Sequence, residues 1–520
     1  MLSKILSAAV VGVDAYIVEV EVDIEFGLPS FTVVGLPEAA VRESRERVRA
    51  AVANSGYQCP NDRITVNLAP AGIKKEGTGY DLPIAVGIQA AQEVINGPIL
   101  GDYLFYGELS LDGSVKPVNG VLPIAIAAKG ANIKGIILSV ENAQEASVVR
   151  GVDIIPVRHF SDVVEFLSGR MEINPVQANM NDVFHQEVRE RLDLSEVMGQ
   201  EHAKRALEIA AAGGHNILMS GVPGSGKTML ARRLPTILPP MNFEEAIETS
   251  KIHSVAGIMK TPLVTERPFR APHHTISDAG LIGGGHIPRP GEVSLAHNGV
   301  LFMDEFPEFK KHVLEVLRQP LEDRKVTISR AAMTLTYPSA VMLAAAMNPC
   351  PCGYLTDPAR DCTCTHHEIR KYKARISGPL MDRIDIHIDV PAVPFRDLMD
   401  HQSSETSSAV RKRVVAAREI QMNRFKGKGI YANAQMGNRD IRTYCKIAPE
   451  SRLLLEKAAE TLRLSARACN RILKIARTIS DLEAAIQSIS SNSAKSVKID
   501  PPIETQHIAE AVQLRSTGKD

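Results

Sequence analysis

The sequence of 520 residues lacks an excess of either charge, since lysine plus arginine and aspartate plus glutamate number 60 each. No global positive field therefore favours binding to nucleic acid, and any contact with a polyanion must depend on local patches. Long apolar runs are also missing: no stretch reaches the roughly 18 apolar residues that span a membrane. The N-terminal apolar run is interrupted at Asp14, which excludes a secretory signal peptide. These absences predict a cytoplasmic protein without membrane contacts.

Cysteine is scarce as well, and seven cysteines in this length are too few for a disulfide scaffold. The hydrophobic share of 44% and the charged share of 23% are typical of an ordinary soluble globular protein. At ~150 residues per domain, the length suggests about three or four domains.

Four segments differ in their pattern along the chain. Residues 1–170 alternate strand-like and amphipathic helical runs, which predicts an α/β or α+β domain. A linker with an approach helix is predicted at 171–195, and a strand–loop–helix core follows at 196–392. Residues 393–520 are mostly helical, so the fold class is α/β with a C-terminal helical domain. The helices predicted there are 407–426, 448–461, 465–485 and 504–514.

A phosphate-binding loop is the strongest motif. It matches G-x-x-x-x-G-K-[ST], follows an apolar strand and precedes a helix, which is the context that makes the motif credible. Glycines let successive backbone N–H groups surround phosphates, and the helix N-terminus adds a favourable dipole. We expect Lys227 to reach the β- and γ-phosphates of ATP and Thr228 to bind Mg²⁺. The motif consists of Gly221, Val222, Pro223, Gly224, Ser225, Gly226, Lys227 and Thr228.

Two carboxylates end the apolar strand Val300–Met303 downstream. Asp304 lies where it would hold Mg²⁺ through water, and Glu305 is placed to polarise the attacking water as a general base. Such a pair is weak evidence alone, but after a phosphate loop it predicts ATP hydrolysis.

Three further polar residues complete the predicted catalytic set. Asn348 follows an apolar strand and is expected to hydrogen-bond the γ-phosphate. Arg383 lies among acidic residues, so it either forms an intrachain salt bridge or serves as an arginine finger toward a neighbouring subunit. Arg467 opens a helix and either reaches the nucleotide from the helical domain or belongs to a solvated basic face.

The order of these residues resembles Walker A, Walker B, sensor 1, arginine finger and sensor 2 of an AAA+ ATPase. The phrases Arg267–His274, Ser294–Gly299 and Asn348–Gly353 resemble the YifB/ComM family of magnesium-chelatase-like AAA+ proteins. The resemblance covers nearly the whole chain. It implies a homo-hexameric ring and, for the ComM members, an ATP-driven DNA helicase that promotes branch migration during natural transformation.

Two insertions in the core fit this resemblance. The distance from Thr228 to Asp304 exceeds what one crossover helix and a strand need, and the excess includes the Gly- and Pro-rich segment Arg270–Val293. A second insertion is predicted as a β-hairpin with strands Val326–Arg330 and Met333–Tyr337. In the resembling clade of magnesium chelatases and ring helicases, such inserts project toward the pore.

Basic residues on the hairpin are therefore candidate contacts for a threaded DNA strand, through its phosphates and without sequence specificity. These residues are Arg324, Lys325 and Arg330. The alternative is that Arg324 and Lys325 only pair with Glu322 and Asp323, since surface charges usually contribute little.

Four of the seven cysteines fall within residues 350–364. Four thiolates are enough for a closed tetrahedral Zn²⁺ site, although C-x-C spacing is tighter than the usual C-x-x-C. The alternative is a group of reduced, unligated cysteines. The expected role is structural, because the loop follows Asn348 directly. The cluster consists of Cys350, Cys352, Cys362 and Cys364.

The N-terminal segment resembles the proteolytic domain of Lon proteases at Pro70–Asp81 and Gly107–Gly113. A Lon protease needs a serine nucleophile and a lysine that activates it. In this sequence Gly79 stands at the serine position and Leu122 at the lysine position. We therefore expect a scaffold without proteolytic activity.

Three functions remain open at this point. The favoured one is an ATP-hydrolysing AAA+ ring motor on single-stranded or branched DNA, a helicase in recombination or natural transformation. The alternatives are a magnesium-chelatase-like motor and a protein-remodelling ATPase without DNA translocation. The Lon-like N-terminal domain, which the chelatase I subunit lacks, and the basic hairpin favour DNA; an aromatic pore residue would favour a polypeptide.

Overall fold

The computed structural model describes residues 1–95, 98–178, 192–285, 288–330, 333–393, 404–490 and 500–516. The chain forms two compact units, and each contains segments that are distant in sequence. The first unit comprises Met1–Glu187, Asn242–Thr265 and Ser329–Tyr337. The second comprises Val188–Met241, Glu266–Ile328 and Pro338–Asp520.

A mixed seven-stranded sheet in the order β3-β4-β2-β1-β5-β8-β9 forms the centre of the first unit. Antiparallel pairs join β1 to β2 and β2 to β4, while the other neighbours are parallel. The strands of this unit are β1 Leu2–Val11, β2 Asp14–Glu25, β3 Ser30–Val34, β4 Arg63–Ala69, β5 Tyr103–Phe105, β6 Glu108–Leu109, β7 Val115–Lys116, β8 Gly135–Ser139 and β9 Asp153–Val157. The short strands β6 and β7 form a separate antiparallel pair.

Successive side chains of a strand point to opposite faces of its sheet. Strand β8 is buried at every position, so both faces are apolar there and helices cover both. Ile136 of β8 is buried in one apolar cluster with the helix Val121–Gly130, and Ile137 in another with the helix Asp81–Ala91. The helices of this unit are Ala39–Arg42, Ser44–Asn54, Asp81–Ala91, Val121–Gly130, Val140–Ala146, Phe160–Leu167 and Phe243–Ala256, with a 3₁₀ turn at Pro98–Asp102.

A five-stranded sheet in the order β11-β14-β17-β10-β18 forms the centre of the second unit, and its neighbours are all parallel. Outside this sheet, β12 pairs with β13 and β15 pairs with β16, each as a separate two-stranded sheet. The strands after β9 are β10 Ile217–Ser220, β11 Phe269–Arg270, β12 Gly283–Gly284, β13 Arg289–Pro290, β14 Val300–Met303, β15 Lys325–Arg330, β16 Met333–Pro338, β17 Met342–Met347 and β18 Ile386–Asp389. Of these, the part of β15 and β16 within Ser329–Tyr337 belongs to the first unit.

One apolar cluster joins this sheet to the C-terminal helices, so the helical segment shares its core with the five strands. The helices are Glu201–Gly213, Lys227–Ile237, Asp278–Ile282, Glu292–Leu295, Lys311–Val316, Arg318–Asp323, His366–Lys373, Gly378–Met381, Ser407–Arg424, Asn438–Tyr444, Pro449–Thr461, Ala466–Ser490 and Thr505–Ser516. Single 3₁₀ turns occur at Leu194–Glu196, Phe306–Glu308 and Asn433–Gln435.

These elements agree with the expected mixed α/β organisation and its C-terminal helices. The N-terminal apolar run, for which no strand was predicted, forms strand β1. Strand β9 was not predicted from the sequence either. Of the predicted linker 171–195, residues 179–191 lie outside the described residues. Within the part of the chain that is described, no helix is both long and apolar enough to cross a membrane.

A buried charge network holds the C-terminal helices together. Asp481 accepts hydrogen bonds from Arg424 at 2.6 and 2.8 Å and from Asn433 at 2.8 Å, and it lies 3.2 Å from Arg477 Nε. The side chains of Asp481 and Arg424 are both 0% exposed. Removing one partner from such a network leaves an uncompensated buried charge.

We expect Asp481→Ala to lower the free energy of unfolding by about 3–5 kcal/mol, because two buried guanidinium groups lose their carboxylate. Chemical denaturation followed by far-UV circular dichroism measures the change. Glu456→Ala, which removes an exposed pair with Arg452, is the control and should leave stability nearly unchanged. Equal effects from the two substitutions would contradict the importance of the buried network.

Candidate nucleotide site and four-cysteine cluster

The predicted nucleotide-site residues meet at one edge of the five-stranded sheet. β10, β17 and β14 are adjacent and parallel, and Ser220 of β10 pairs with Met347 of β17. Because the carboxyl ends of parallel strands share one edge, the segments that follow these three strands lie together. Those segments begin at Gly221, Asp304 and Asn348.

The phosphate loop depends on glycine at three positions. A Cβ at Gly221 would lie 2.2 Å from the backbone oxygen of Val390, just beyond β18, so only glycine allows this approach. Gly224 and Gly226 have φ angles of +79° and +86°, in the left-handed region that favours glycine. The helix then begins at Lys227, so its first N–H groups face the loop.

Lys227 is nearly buried inside this loop. Its ammonium donates to the backbone oxygens of Gly221 at 2.7 Å and Val222 at 2.9 Å, and it lies 3.4 Å from Asn348 Oδ1. Burial lowers the pKa of Lys227, and the charge of Asp304 opposes that shift. The lysine, the predicted Mg²⁺ carboxylate and the predicted phosphate sensor therefore occupy one site.

Thr228 and Asp304 are directly joined, since the threonine hydroxyl donates to Asp304 Oδ2 at 2.7 Å. The two oxygens predicted to bind Mg²⁺ thus lie side by side. Glu305 follows with a φ of +52°, an unusual angle for a residue with a side chain, and its N–H donates to Asp304 Oδ1 at 2.9 Å. The Glu305 side chain is 55% exposed.

His274 is a partner of Glu305 that the sequence analysis did not identify. Its Nδ1 lies 3.1 Å from Glu305 Oε2, and its ring lies 4.1 Å from that of His273. The segment carrying it is anchored by Arg270, which donates twice to Glu292 at 2.6 Å. The two adjacent histidines at the end of Arg267–His274 were the only feature of the sequence that could have pointed to this contact. They lie far from Glu305 in the sequence, so the contact could not be predicted from it.

Gln200 is a second residue that sequence reasoning missed. It precedes the helix Glu201–Gly213, has a φ of +56°, and its side-chain amide donates to the backbone oxygen of Ser225 at 2.6 Å. The contact fixes the centre of the phosphate loop from outside it. No motif in the sequence points to this residue.

Arg383 forms the intrachain salt bridge that was one of its two interpretations. One terminal nitrogen pairs with Glu322, the other donates to the backbone oxygen of Pro379 at 2.8 Å, and the side chain is 12% exposed. The hydrogen bond from Arg383 lowers the pKa of Glu322. Its use toward a neighbouring subunit stays a prediction.

Arg467 is exposed at the start of the helix Ala466–Ser490, and its charge also contributes to the lowered pKa of Glu322. Arg471 of the same helix pairs with the buried Asp385. Although burial opposes ionisation, Arg471 and His215 hold the pKa of Asp385 well below its usual range. Asp385 in turn accepts the N–H of Asn216 at 3.1 Å, immediately before β10.

The predicted hairpin is present, and its three basic residues differ in exposure. Lys325 and Arg330 are exposed, while Arg324 is half-buried with a φ of +55°. Within the described ranges no carboxylate forms an ion pair with any of the three, and Glu322 pairs with Arg383 instead. The alternative pairing considered for Arg324 and Lys325 is therefore not found there.

The four clustered cysteines converge although no regular strand or helix holds their loop. Their sulfur atoms all lie within 4.8 Å of one another, with Sγ–Sγ distances of 3.3, 3.7 and 3.6 Å among Cys350, Cys352 and Cys362. Four sulfurs at about 2.3 Å from Zn²⁺ form a tetrahedron with edges of about 3.8 Å. All four are free thiols, so the cluster fits a Zn²⁺ site.

The two positions that a Lon protease would use for catalysis are closed by packing. A Cβ at Gly79 would lie 2.4 Å from the ring of Tyr106, which leaves no room for a serine side chain. Leu122 is fully buried. Of the two lysines nearby, Lys75 is buried and donates to the backbone oxygens of Gly35 and Pro70.

Comparison with known families covers most of the chain. The family described as magnesium chelatase, subunit ChlI, matches residues 193–398. The family described as subunit ChlI of Mg-chelatase matches residues 20–142, and the ChlI C-terminal family matches 404–515.

Individual relatives extend over the full length. The competence protein ComM of Haemophilus influenzae is 44% identical over 505 residues, which are 95% of this chain and 97% of that protein. The YifB protein of Salmonella typhimurium is 42% identical over 100% of this chain and 98% of its own length. Lon protease 2 of Bacillus subtilis is 33% identical over 129 residues, 25% of this chain and 23% of that protein, in keeping with a Lon-like N-terminal domain.

We expect the purified protein to contain about one zinc ion per chain, because four convergent thiolates form a closed tetrahedral donor set. Mass spectrometry of the metal content measures this. The double substitution Cys362→Ser/Cys364→Ser should remove the ion, whereas Cys469→Ser, which changes a thiol outside the cluster, should retain it. Protein purified without chelators that holds no zinc would contradict the site.

Proposed function

The chain belongs to the YifB/ComM family of magnesium-chelatase-like AAA ATPases, and we propose that it is a ring-forming motor that hydrolyses ATP to move along DNA. The family implies ATP with Mg²⁺ and ATP hydrolysis. The observation that supports the motor most directly is the joined site of Lys227, Thr228, Asp304 and Asn348 at one sheet edge.

Each residue of the site has a chemical task in this proposal. Lys227 and the loop N–H groups bind the β- and γ-phosphates, and Thr228 with Asp304 holds Mg²⁺. Glu305 is the general base for the attacking water, and His274 positions its carboxylate. Asn348 contacts the γ-phosphate through its amide. Mg²⁺ held by Thr228 and Asp304 would supply positive charge that offsets the negative charge developing on the phosphates.

In the proposal, Arg383 acts on the ATP site of the neighbouring subunit, and Arg467 acts from the helical domain. Arg383 is the finger that reaches the γ-phosphate of the neighbouring subunit, and it must first leave Glu322. Arg467 is exposed at the first turn of its helix and contributes from the helical lid domain. These roles require active sites shared between subunits, and we propose the homo-hexameric ring that the family resemblance implies.

DNA is the proposed cargo because of the surface of the hairpin β15–β16. Its apolar residues Val326, Ile328 and Tyr337 are buried, with Tyr337 1% exposed. Its exposed residues are polar or basic, and Arg324, Lys325 and Arg330 are the proposed phosphate contacts. The exposed residues of this hairpin are Lys325, Thr327, Ser329, Arg330, Thr334 and Thr336.

A buried tyrosine also weakens the protein-threading alternative, since the hairpin presents no exposed aromatic side chain in its described residues. The magnesium-chelatase-like alternative is harder to separate. The family that matches residues 20–142 is itself described as a chelatase subunit, so the N-terminal domain does not discriminate between the two functions. The preference for DNA therefore depends on the hairpin and on the competence protein among the relatives.

We propose that the protein is a DNA helicase that promotes branch migration in recombination or natural transformation. We expect binding to forked and single-stranded DNA in the presence of a non-hydrolysable ATP analogue, measured by fluorescence anisotropy across a salt titration. The affinity should fall as salt rises, because phosphate contacts release counterions. Lys325→Ala/Arg330→Ala should weaken binding and flatten the salt dependence.

Strand displacement on the same substrates connects binding with the motor. Lys227→Ala should abolish displacement by preventing productive ATP binding, and Glu305→Gln should retain ATP binding while hydrolysis falls by about 10²-fold or more. Glu266→Gln, at an exposed position, is the control. Robust ATPase activity with no affinity for any DNA would exclude the DNA motor and favour the chelatase-like or remodelling alternative.

A mixing experiment tests active sites shared between subunits. Arg383→Ala and Lys227→Ala should each be nearly inactive alone, because one lacks the finger and the other the phosphate-binding lysine. In mixed rings, some interfaces combine an intact phosphate loop with an intact finger, so ATPase activity should partly recover. A mixture that stays as inactive as its components would argue against an arginine finger in trans.

A further inference from the structure

The loop that carries the four cysteines lies directly against the phosphate loop. Gly353 has a φ of +88°, and a Cβ built there would lie 2.7 Å from Cγ and 2.8 Å from Cδ of Pro223. The same position is 3.9 Å from the amide carbon of Asn348. Gly353 follows Cys352 directly, and its N–H donates to the backbone oxygen of Cys350 at 3.0 Å. One tight turn of the cysteine cluster therefore contacts two parts of the nucleotide site.

A second contact comes from the helix His366–Lys373, which begins two residues after Cys364. The side chain of Tyr372 in this helix is buried, and its hydroxyl lies near the backbone of Asn348. The sensor asparagine is thus held between Gly353 and Tyr372. Both residues depend on the path that the cysteine loop takes.

A third contact reaches the turn after Glu305. Arg375, just beyond the same helix, donates to the backbone oxygen of Pro307 at 3.3 Å and to Glu308 at 2.6 Å. Its guanidinium also lies 5.9 Å from the centre of the Tyr372 ring. The cysteine loop and the segment that follows it therefore lie together against the phosphate loop, the sensor strand end and the turn beyond the predicted general base.

Apart from its cysteines, the loop is held by local contacts such as that of Arg360 with the hydroxyl and ring of Tyr354. In its described residues it consists of turns and bends without a regular strand or helix, and only Cys350 of the four cysteines is buried. A structural Zn²⁺ bound by four thiolates contributes of order 10 kcal/mol or more to the ordering of such a loop. Zn²⁺ bound by these thiolates would therefore add much to the order of the loop surface that Gly353 presents.

We infer that Zn²⁺ in the four-cysteine cluster braces the ATP site, through Gly353 against Pro223 and Tyr372 against Asn348, so that metal occupancy sets nucleotide affinity. The inference rests on the proposed ATPase function and adds a regulatory ligand to that same site. Loss of the ion, by chelation or by substitution of its thiolates, loosens the phosphate loop and the sensor together. Nucleotide affinity then falls without any change in the residues that touch phosphate.

The test measures zinc content and the affinity for a fluorescent ATP analogue in the presence of Mg²⁺ on the full-length protein. Cys362→Ser/Cys364→Ser should lose zinc and weaken nucleotide binding by roughly tenfold or more. Gly353→Ala should retain zinc and weaken binding to a similar extent, because the new methyl group displaces Pro223 while all four thiols stay. This second variant keeps the test informative if the cysteine variant does not fold.

Two matched controls separate the contact from general effects. Gly427→Ala has the same left-handed strain, with a φ of +79°, but a Cβ there meets no atom within 4 Å. Cys469→Ser removes a thiol outside the cluster. Both should bind the analogue and zinc as the wild type does.

The outcomes distinguish the inference from the function on which it depends. Wild-type protein that binds no ATP analogue would overturn the proposed function and the inference with it. Wild-type protein that binds the analogue, while the zinc-free and Gly353→Ala proteins bind it equally well, would overturn the inference alone. Weaker binding by Gly353→Ala than by Gly427→Ala, with zinc retained in both, would support the brace.

Discussion

The parallel pairing of β10 with β17, and of β17 with β14, is the constraint on which the rest of the site depends. It places the ends of three strands that are far apart in sequence at one edge, where the phosphate loop, Asp304 and Asn348 begin. Each strand is almost fully buried, so apolar burial fixes the positions of the three strands. The residues that follow the strands must then lie at this edge of the sheet. The hydrogen bond from Thr228 to Asp304 is a consequence of that pairing.

The helical segment is coupled through charge to the opposite edge of the sheet, where β10 and β18 begin. Asp385 is buried at the start of β18, accepts the N–H that precedes β10, and pairs with Arg471 of the long C-terminal helix. Arg515 of the last helix donates to the backbone oxygens of Ile384 and Asp385 at 2.7 and 3.0 Å. A rotation of these helices must therefore break buried charge contacts or carry the Arg383 segment with it, which links the lid to the proposed finger.

The sequence predicted those parts of the site in which a particular residue type at a particular spacing serves a single known chemical purpose. The glycines of the phosphate loop, the carboxylates after β14 and the four cysteines are of this kind, and the structure brings each group together. Gln200, His274 and Tyr372 were not predicted, because their contacts join segments whose proximity is decided only by packing of the whole unit. Strands β1 and β9 were missed for a related reason, since their burial depends on neighbours distant in sequence.

The contact between Gly353 and Pro223 shows why a motif search alone leaves this site incomplete. A phosphate loop needs a backbone that holds its N–H groups in place before the ligand arrives, and glycine-rich backbone is intrinsically mobile. Here the loop is supported on three sides: by Val390 at Gly221, by Gln200 at Ser225 and by the cysteine loop at Pro223. The first two supports belong to regular elements or adjoin them, but the third belongs to a loop whose order depends on its thiolates. Preorganisation of the nucleotide site therefore has one component that a metal ion can supply or withdraw.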